Sequence, residues 1–387
     1  MASGIDRLAR GLEDAGRRQL RRSRRVLDSP QGARVREGGR ELVNFSSNDY
    51  LGLANHPAMR AAAHRAVDAY GVGAGASPLV SGYLRIHQEA EARFAAFVGL
   101  PAAILFPSGY AANLGILAAL ADRSAEVFGD KLNHACLNDG AVLSRATFTR
   151  YAHNDVAALE ARLAASTAEV RVVASDTVFS MDGDLAPVKA LLALCDKHDA
   201  WLVLDDAHGI GVLGQRGAGT LEHLGLASPR IVYMATLGKA LGGYGAFVAG
   251  EPVVIDWLVQ RARTLIYSTA LPPMAAAAAV AAVELIETQP RILAALRERI
   301  AGFRAACEAA RIVLAPSDTA IQPLVVGDAA RALEVSARLR EDGFLVPAIR
   351  PPTVPEGTSR LRISLSAAHT AADVAALVAA LSRALPP

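Results

Sequence analysis

WLVLDDAHGIGVLG, Trp201 to Gly214, runs from an apolar strand pattern into two acids, a histidine and three glycines. What the glycines are for decides the fold. GIGVLG satisfies the GxGxxG pattern of a dinucleotide-binding turn. That pattern needs an apolar helix directly after it and an acid about 20 residues further on to hold the ribose. Here QRGAGT follows, and the nearest acid, Glu222, comes far too early. The context disfavours a nucleotide-dependent oxidoreductase and leaves it as the alternative from another reaction class.

DDAHG admits a different use. Asp205 and His208 stand where an apolar strand ends, at the edge of an open α/β sheet that receives ligands. An aspartate there can accept a hydrogen bond from a protonated pyridine nitrogen and keep the ring an electron sink. A histidine three residues on can reach another ring substituent. Taken singly, the two read as a turn cap and a core imidazole, so the surroundings decide. On both sides the same apolar rhythm recurs: AAILF, AEVFG, EVRVVAS, IVYMAT and GAFVAG alternate with helical patterns such as APVKALLALCDKH. That alternation predicts a mostly parallel sheet covered on both faces, an α/β fold. From about Leu285 the rhythm becomes helix, strand, helix, strand, strand, helix, the pattern of a smaller α+β domain. Residues 4 to 26 have helical spacing, with Ile5, Leu8, Leu12, Ala15 and Leu20 near one face. The expected organisation is an N-terminal helical arm over 1–45, a large α/β domain over 46–284 and a small C-terminal α+β domain over 285–387.

Composition narrows the function classes. With 52% hydrophobic and 20% charged residues, the 387-residue chain has a large core. Forty basic against 38 acidic residues leave only +2, too small a field to hold nucleic acid or a membrane surface, so a small-molecule partner is expected. Cys136, Cys195 and Cys307 are widely spaced and odd in number, which disfavours a disulfide framework and a zinc site; no metal is expected. The first 25 residues lack a secretory apolar core, and AAAAAVAAVELI reads as a buried helix because a glutamate interrupts it and prolines precede it. A cytoplasmic location fits.

TLGKALGG, Thr236 to Gly243, then raises the question of a lysine set after a buried strand. It is not a P-loop: Tyr233 stands where the leading glycine belongs, and Ala240 where the magnesium-binding hydroxyl belongs. Burial among small apolar groups disfavours the ammonium and suits Schiff-base chemistry. The glycines leave room for a flat ligand. In LFPSGYAAN a strand ends at Ser108-Gly109-Tyr110 and a helix begins, offering free N–H groups to a phosphate. KLNHACL places His134 where an imidazole could stack on a flat ring. Together these residues describe a pyridoxal phosphate site.

With DDAHG, and Lys239 34 residues after Asp205, the chain resembles the α-oxoamine synthases among the fold type I pyridoxal-phosphate transferases. SNDYLGL, LVSGY, AHND, FSMDGD, IYSTALPP, AIQPLVVGD and AIRPPTVPEGTSRLRISLSAAHT extend the similarity from the arm to the last helix. AIRPPTVP points to the biotin-pathway branch. The resemblance implies an acyltransferase that condenses L-alanine with pimeloyl-CoA or pimeloyl-acyl carrier protein and releases CO2. A sibling such as glycine C-acetyltransferase is the alternative on the same scaffold. It implies pyridoxal 5'-phosphate tethered by Lys239, which later takes the substrate α-proton, with Asp205 on the pyridine nitrogen and His134 stacked on the ring and beside substrate. Ser180 and His208 would face the ring hydroxyl, and Gly109, Tyr110 and Thr236 the phosphate. Ser268 and Thr269 would reach that phosphate from the second subunit of a homodimer. Arg21 and Thr353 match substrate-contacting positions, and Arg350 is the expected carboxylate anchor. Three positions depart from the family pattern: Tyr110 replaces a frequent phenylalanine, Pro78 stiffens a glycine-rich loop, and Asp176 stands where glutamate is expected.

Overall fold

The computed structural model describes residues 3–385. In chain order its strands are β1 (Arg34–Glu37), β2 (Arg40–Asn44), β3 (Ala102–Phe106), β4 (Ala125–Asp130), β5 (Thr147–Tyr151), β6 (Val170–Asp176) and β7 (Ala200–Asp205). They continue as β8 (Ile231–Thr236), β9 (Ala246–Gly250), β10 (Ile321–Gly327), β11 (Phe344–Leu345), β12 (Ala348–Ile349) and β13 (Ser359–Ser364). The central seven-stranded sheet has the order β3-β9-β8-β7-β6-β4-β5. Only β9 runs against its neighbours, pairing antiparallel with β3 and β8. The carboxyl ends of β3, β4, β6, β7 and β8 therefore lie along one edge.

The apolar runs form this sheet because both of its faces are covered. Every residue of β8 and β9 is buried, and each fully buried Val, Leu, Ile or Phe contributes roughly 1.5–3 kcal/mol. The helices Gly109–Leu120, Ala135–Ser144 and Val188–Lys197 follow β3, β4 and β6, as crossovers between parallel strands require. The alanine-rich run forms the helix Pro273–Thr288, which buries Ala276, Ala279, Ala282, Val283 and Ile286 and packs on the helices Pro57–Tyr70 and Arg85–Val98. Among the described residues no helix is long and apolar enough to cross a membrane.

Two smaller sheets complete the chain, β10-β13-β12 and β1-β2-β11. The second corrects the expectation for the arm. Its helix covers only Gly4–Arg17, and Arg34–Asn44 is a hairpin whose β2 pairs in parallel with β11. Val35 and Leu42 alternate with charged neighbours there and turn onto a small core with Leu345, a period of two rather than 3.6.

Candidate active site

The turn after β8 centres the site. Leu237, Ala240 and Leu241 are buried beneath it. Leu237 N–H donates to Gly245 O at 2.9 Å, while Gly242 and Gly243 N–H return to Lys239 O and Leu237 O at 2.8 Å. With its neighbours anchored inward, the loop brings Lys239 Nζ to 2.8 Å from His208 Nε2. Burial lowers the lysine pKa from its usual 10.5, opposed by Asp205 and Asp176, and so favours the free amine. Of the glycines expected to make room for a ligand, Gly238 is open, but Gly242 serves packing. Its φ is +62°, and a Cβ there would meet Ala54 N at 2.5 Å.

His208 hangs from the segment after β7, with Nδ1 2.7 Å from Tyr50 Oη. Burial drives its pKa well below 6.5, so the ring is neutral. One tautomer satisfies every contact. Nε2 accepts from Lys239, Nδ1–H donates to Tyr50, and Tyr50 donates to Asn48 Oδ1 at 3.1 Å. Arg362 Nη2 donates to Tyr50 Oη at 3.2 Å, extending the chain Lys239–His208–Tyr50–Arg362.

Asp205 ends β7 and is held from both sides, accepting from Asn113 Nδ2 at 2.7 Å and Ala207 N at 2.9 Å. Asp176 is its register partner on β6. Burial, reinforced by Asp205, pushes Asp176 well above the usual carboxylate range. Its Oδ2 accepts the His134 N–H at 2.6 Å. This shorter acid is thus the one that seats His134, which also caps the helix Ala135–Ser144. Burial lowers the His134 pKa, and its Nδ1 lies 2.8 Å from Cys136 Sγ.

Beside them Ser108 caps the helix Gly109–Leu120, its Oγ accepting from Ala111 N at 3.1 Å. Gly109 and Tyr110 N–H have no acceptor among the described residues. A Cβ on Gly109 would lie 3.8 Å from Thr236 Cβ, so Thr236 flanks the same helix start. Tyr110 turns its hydroxyl to Asp139 at 2.5 Å, which leaves only its backbone for an anion.

Other expected residues lie elsewhere. Ser180 meets the cluster through its carbonyl, which accepts from Arg362 Nε at 2.6 Å. Ser268 and Thr269 line a cavity of about 280 Å³ with Pro78, Leu79 and His87. They share no hydrogen bond with the Lys239 cluster among the described residues. Arg21 and Arg350 border a groove of about 730 Å³ between the arm and the small sheets. Arg350 donates to Gln19 O, and Thr353 N–H donates to Arg350 O at 3.0 Å.

Arg362 is the residue of this cluster that the sequence did not single out. Only 5% exposed, it donates to Ser180 O, Asn48 Oδ1, Ser364 Oγ and Tyr50 Oη. Four of its five N–H groups meet neutral acceptors, and no carboxylate pairs with it among the described residues. The signals were SNDYLGL and RLRISLS, which carry Asn48, Tyr50 and Arg362.

The glycines after β7 have a structural task. Asp206, fully buried, accepts from Thr220 N at 2.9 Å, Thr220 Oγ1 at 2.5 Å, Tyr233 Oη at 2.6 Å, and Thr177. A Cβ on Gly209 would meet Asp206 Oδ1 at 2.0 Å, and one on Gly211 would meet Ala240 Cβ at 2.6 Å. No apolar helix follows; the next is the five-residue Thr220–Leu224. GIGVLG winds around a buried acid and braces the lysine loop. Gly219→Ala, with φ at +96° and Asp206 Oδ2 2.2 Å from the new methyl, is expected to cost about 1–3 kcal/mol. Thermal unfolding should show the loss.

Residues 40–381 match the family of class I and II aminotransferases. The chain is 56% identical to an 8-amino-7-oxononanoate synthase of Methylobacillus flagellatus, over 98% of this chain and 96% of that protein. It is 54% identical to that of Nitrosospira multiformis, over 96% and 93%. Among solved structures, a serine palmitoyltransferase from S. paucimobilis with PLP and myriocin superposes with a TM-score of 0.92 at 28% identity, covering 98% of this chain and 97% of that one. An 8-amino-7-oxononanoate synthase from Francisella tularensis gives 0.77 at 29%, covering 88% and 97%. The fold is that of the fold type I transferases, and the cofactor is pyridoxal phosphate. The donor set fits it: an amine with no acid bonded to it, a carboxylate fixed at a strand end, and uncommitted N–H groups at a helix start.

Proposed function

We propose, for a chain that belongs to the class I and II aminotransferases and within them to the 8-amino-7-oxononanoate synthases, the condensation of L-alanine with a pimeloyl thioester. The products are 8-amino-7-oxononanoate, CO2 and the free thiol carrier, a step of biotin formation. The alanine Cα bonds to the thioester carbonyl carbon, the thiolate leaves, and the alanine carboxyl departs as CO2. The observation that carries this reading is the buried chain from the Lys239 amine through His208 and Tyr50 to Arg362. It joins a base and a guanidinium without a carboxylate partner through two hydrogen-bonded side chains of one buried cluster.

When bound, pyridoxal phosphate supplies the electron sink for the pair left at Cα. Lys239 would hold it and, once displaced, move the Cα proton. Asp205 would face the ring nitrogen with a charge that Asn113 and Ala207 keep aimed. His134, seated by Asp176, would cover the ring. His208 would address the ring hydroxyl, as would Ser180. The N–H groups of Gly109 and Tyr110, with Thr236, would take the phosphate.

Arg362 is a better-placed anchor for the alanine carboxylate than Arg350, because it is buried within the lysine cluster whereas Arg350 borders the groove and donates to Gln19 O. Arg21 and Arg350, bordering an open groove, with Thr353 bonded to Arg350 O, suit the thioester end. Ser268 and Thr269 would act across a homodimer, approaching the phosphate of a second copy. Arg362→Ala is expected to raise the alanine KM about 10–100-fold through loss of a charged hydrogen bond, with the thioester KM unchanged in steady-state assays.

The test of the reaction is purified protein with pyridoxal phosphate, amino acids scanned against acyl thioesters on CoA and on acyl carrier protein. Alanine with a pimeloyl thioester should give CO2 and the mass of 8-amino-7-oxononanoate. Faster turnover of glycine with acetyl-CoA would overturn the assignment.

A further inference from the structure

We propose that His153 is a positioning residue of this site: bridging Asp130 and Asp184, it fixes the Phe179–Asp184 loop that holds Arg362. This rests on the reading of Arg362 as the carboxylate anchor.

His153 lies outside the Lys239 cluster. Its Nδ1 is 3.0 Å from Asp130 Oδ1, at the end of β4, and its Nε2 is 2.8 Å from Asp184 Oδ2. Phe179 meets the ring edge-on, with centroids 4.4 Å apart. Asn154 doubles the bridge, its backbone N–H donating to Asp130 Oδ2 at 2.7 Å and its Nδ2 to Asp184 Oδ2 at 3.1 Å. Asp130 is buried and Asp184 partly so. Burial disfavours the charged imidazole, but two carboxylates on one ring outweigh it and its pKa rises to about 10, so the bridge stays ionic through the neutral range.

The bridged loop is tied to β13 and to the segment before β10 by four other groups. Ser180 O accepts from Arg362 Nε at 2.6 Å, and Met181 O accepts from Arg360 Nη1 at 3.3 Å. Asp182 pairs with Arg360, and Gly183 O accepts from Ser317 Oγ at 2.9 Å and Thr319 Oγ1 at 3.2 Å. On the central-sheet side, the loop's stem is joined by backbone bonds, Thr177 N–H to Asp205 O at 2.9 Å, Ala186 N–H to Thr177 O at 2.9 Å and Phe179 N–H to Asp184 O at 3.0 Å, and its side-chain ties are those of His153 and Asn154 to Asp184. Phe179–Asp184 is therefore a strap between the central sheet and β13. His153 and Asn154 brace its central-sheet end beside the backbone stem, and the other end supplies Ser180 O to the guanidinium that faces Lys239 through Tyr50. Release of the His153 end leaves the turn held by its backbone stem and Asn154 alone, so Ser180 O, which accepts from Arg362 Nε, is held less firmly relative to Lys239. The consequence falls on the alanine carboxylate, while the thioester groove bordered by Arg21 and Arg350 is untouched.

The test uses holoenzyme carrying His153→Gln, and separately Asp184→Asn, which keeps the shape of the loop and removes its charge. Expected are a rise of about 10-fold or more in the alanine KM, weaker equilibrium binding of alanine without acyl donor, and an unchanged thioester KM. A wild-type alanine KM in both variants would overturn the inference. So would a parallel rise in both KM values with a fall in kcat, since that marks a structural role alone. Arg362→Ala is the control: if it leaves the alanine KM unchanged, the anchor reading itself is wrong. If it raises that KM and the His153 and Asp184 variants do not, only the strap is wrong.

Discussion

Lys239→Ala is expected to abolish turnover and the visible absorption of the lysine-bound cofactor, while the protein still folds. The side chain makes one hydrogen bond, to His208 Nε2, and its loop is held by backbone contacts and by Leu237, Ala240 and Leu241. Stability should change little. Activity has no such reserve, because among the described residues no other lysine is hydrogen-bonded into the cluster of Asp205 and His208. The remaining lysines are Lys131, Lys189 and Lys197, and Lys197 is paired with Glu160 at 2.5 Å. Positioned proton transfer alone contributes about 10²–10⁴-fold, and the anchor is lost with it, so the fall should exceed about 10⁴-fold. Steady-state CO2 release and an absorption spectrum check both halves.

Asp205→Asn should separate cofactor binding from its chemistry. The amide keeps the carboxylate's shape and can still accept from Ala207 N–H. Asn113 can turn its side chain to meet the new NH2, because its Oδ1 has no partner. The fold and cofactor uptake should survive. What disappears is the fixed negative charge that keeps a ring nitrogen protonated. Removing one preorganised electrostatic contact costs roughly 10²–10³-fold, and Cα–H exchange of alanine in D2O without thioester should slow by that much. Exchange at the wild-type rate would remove Asp205 from its role.

The parts of the molecule visible in sequence are those where neighbours in the chain are neighbours in space. β7, β8 and β9 announce themselves as apolar runs because both faces of the sheet are buried. Asp205, His208 and Lys239 were legible as residues at strand ends. β5, TFTRY, was not, because an edge strand with exposed Thr147 and Arg150 carries no apolar signature. The hairpin Arg34–Asn44 alternates over too few residues to outweigh the helical spacing before it. Arg362 was hidden for another reason: its contacts to Tyr50 and Ser180 span 312 and 182 residues, and RLRISLS alone shows two arginines on one face of a strand with no sign of what either reaches. Arg360 faces Asp182 and Arg362 faces the site, though both are buried. The GxGxxG match shows the reverse error, where glycines that accommodate a buried aspartate imitate a phosphate turn.

The central claim is that Lys239 is the residue on which pyridoxal phosphate is held. Borohydride reduction of the holoprotein, digestion and mass mapping of its four lysines tests it most directly. The phosphopyridoxyl group should be found on the peptide containing Lys239 and on no other. Its appearance on Lys131, Lys189 or Lys197, or a reduced protein without any adduct, would contradict the account.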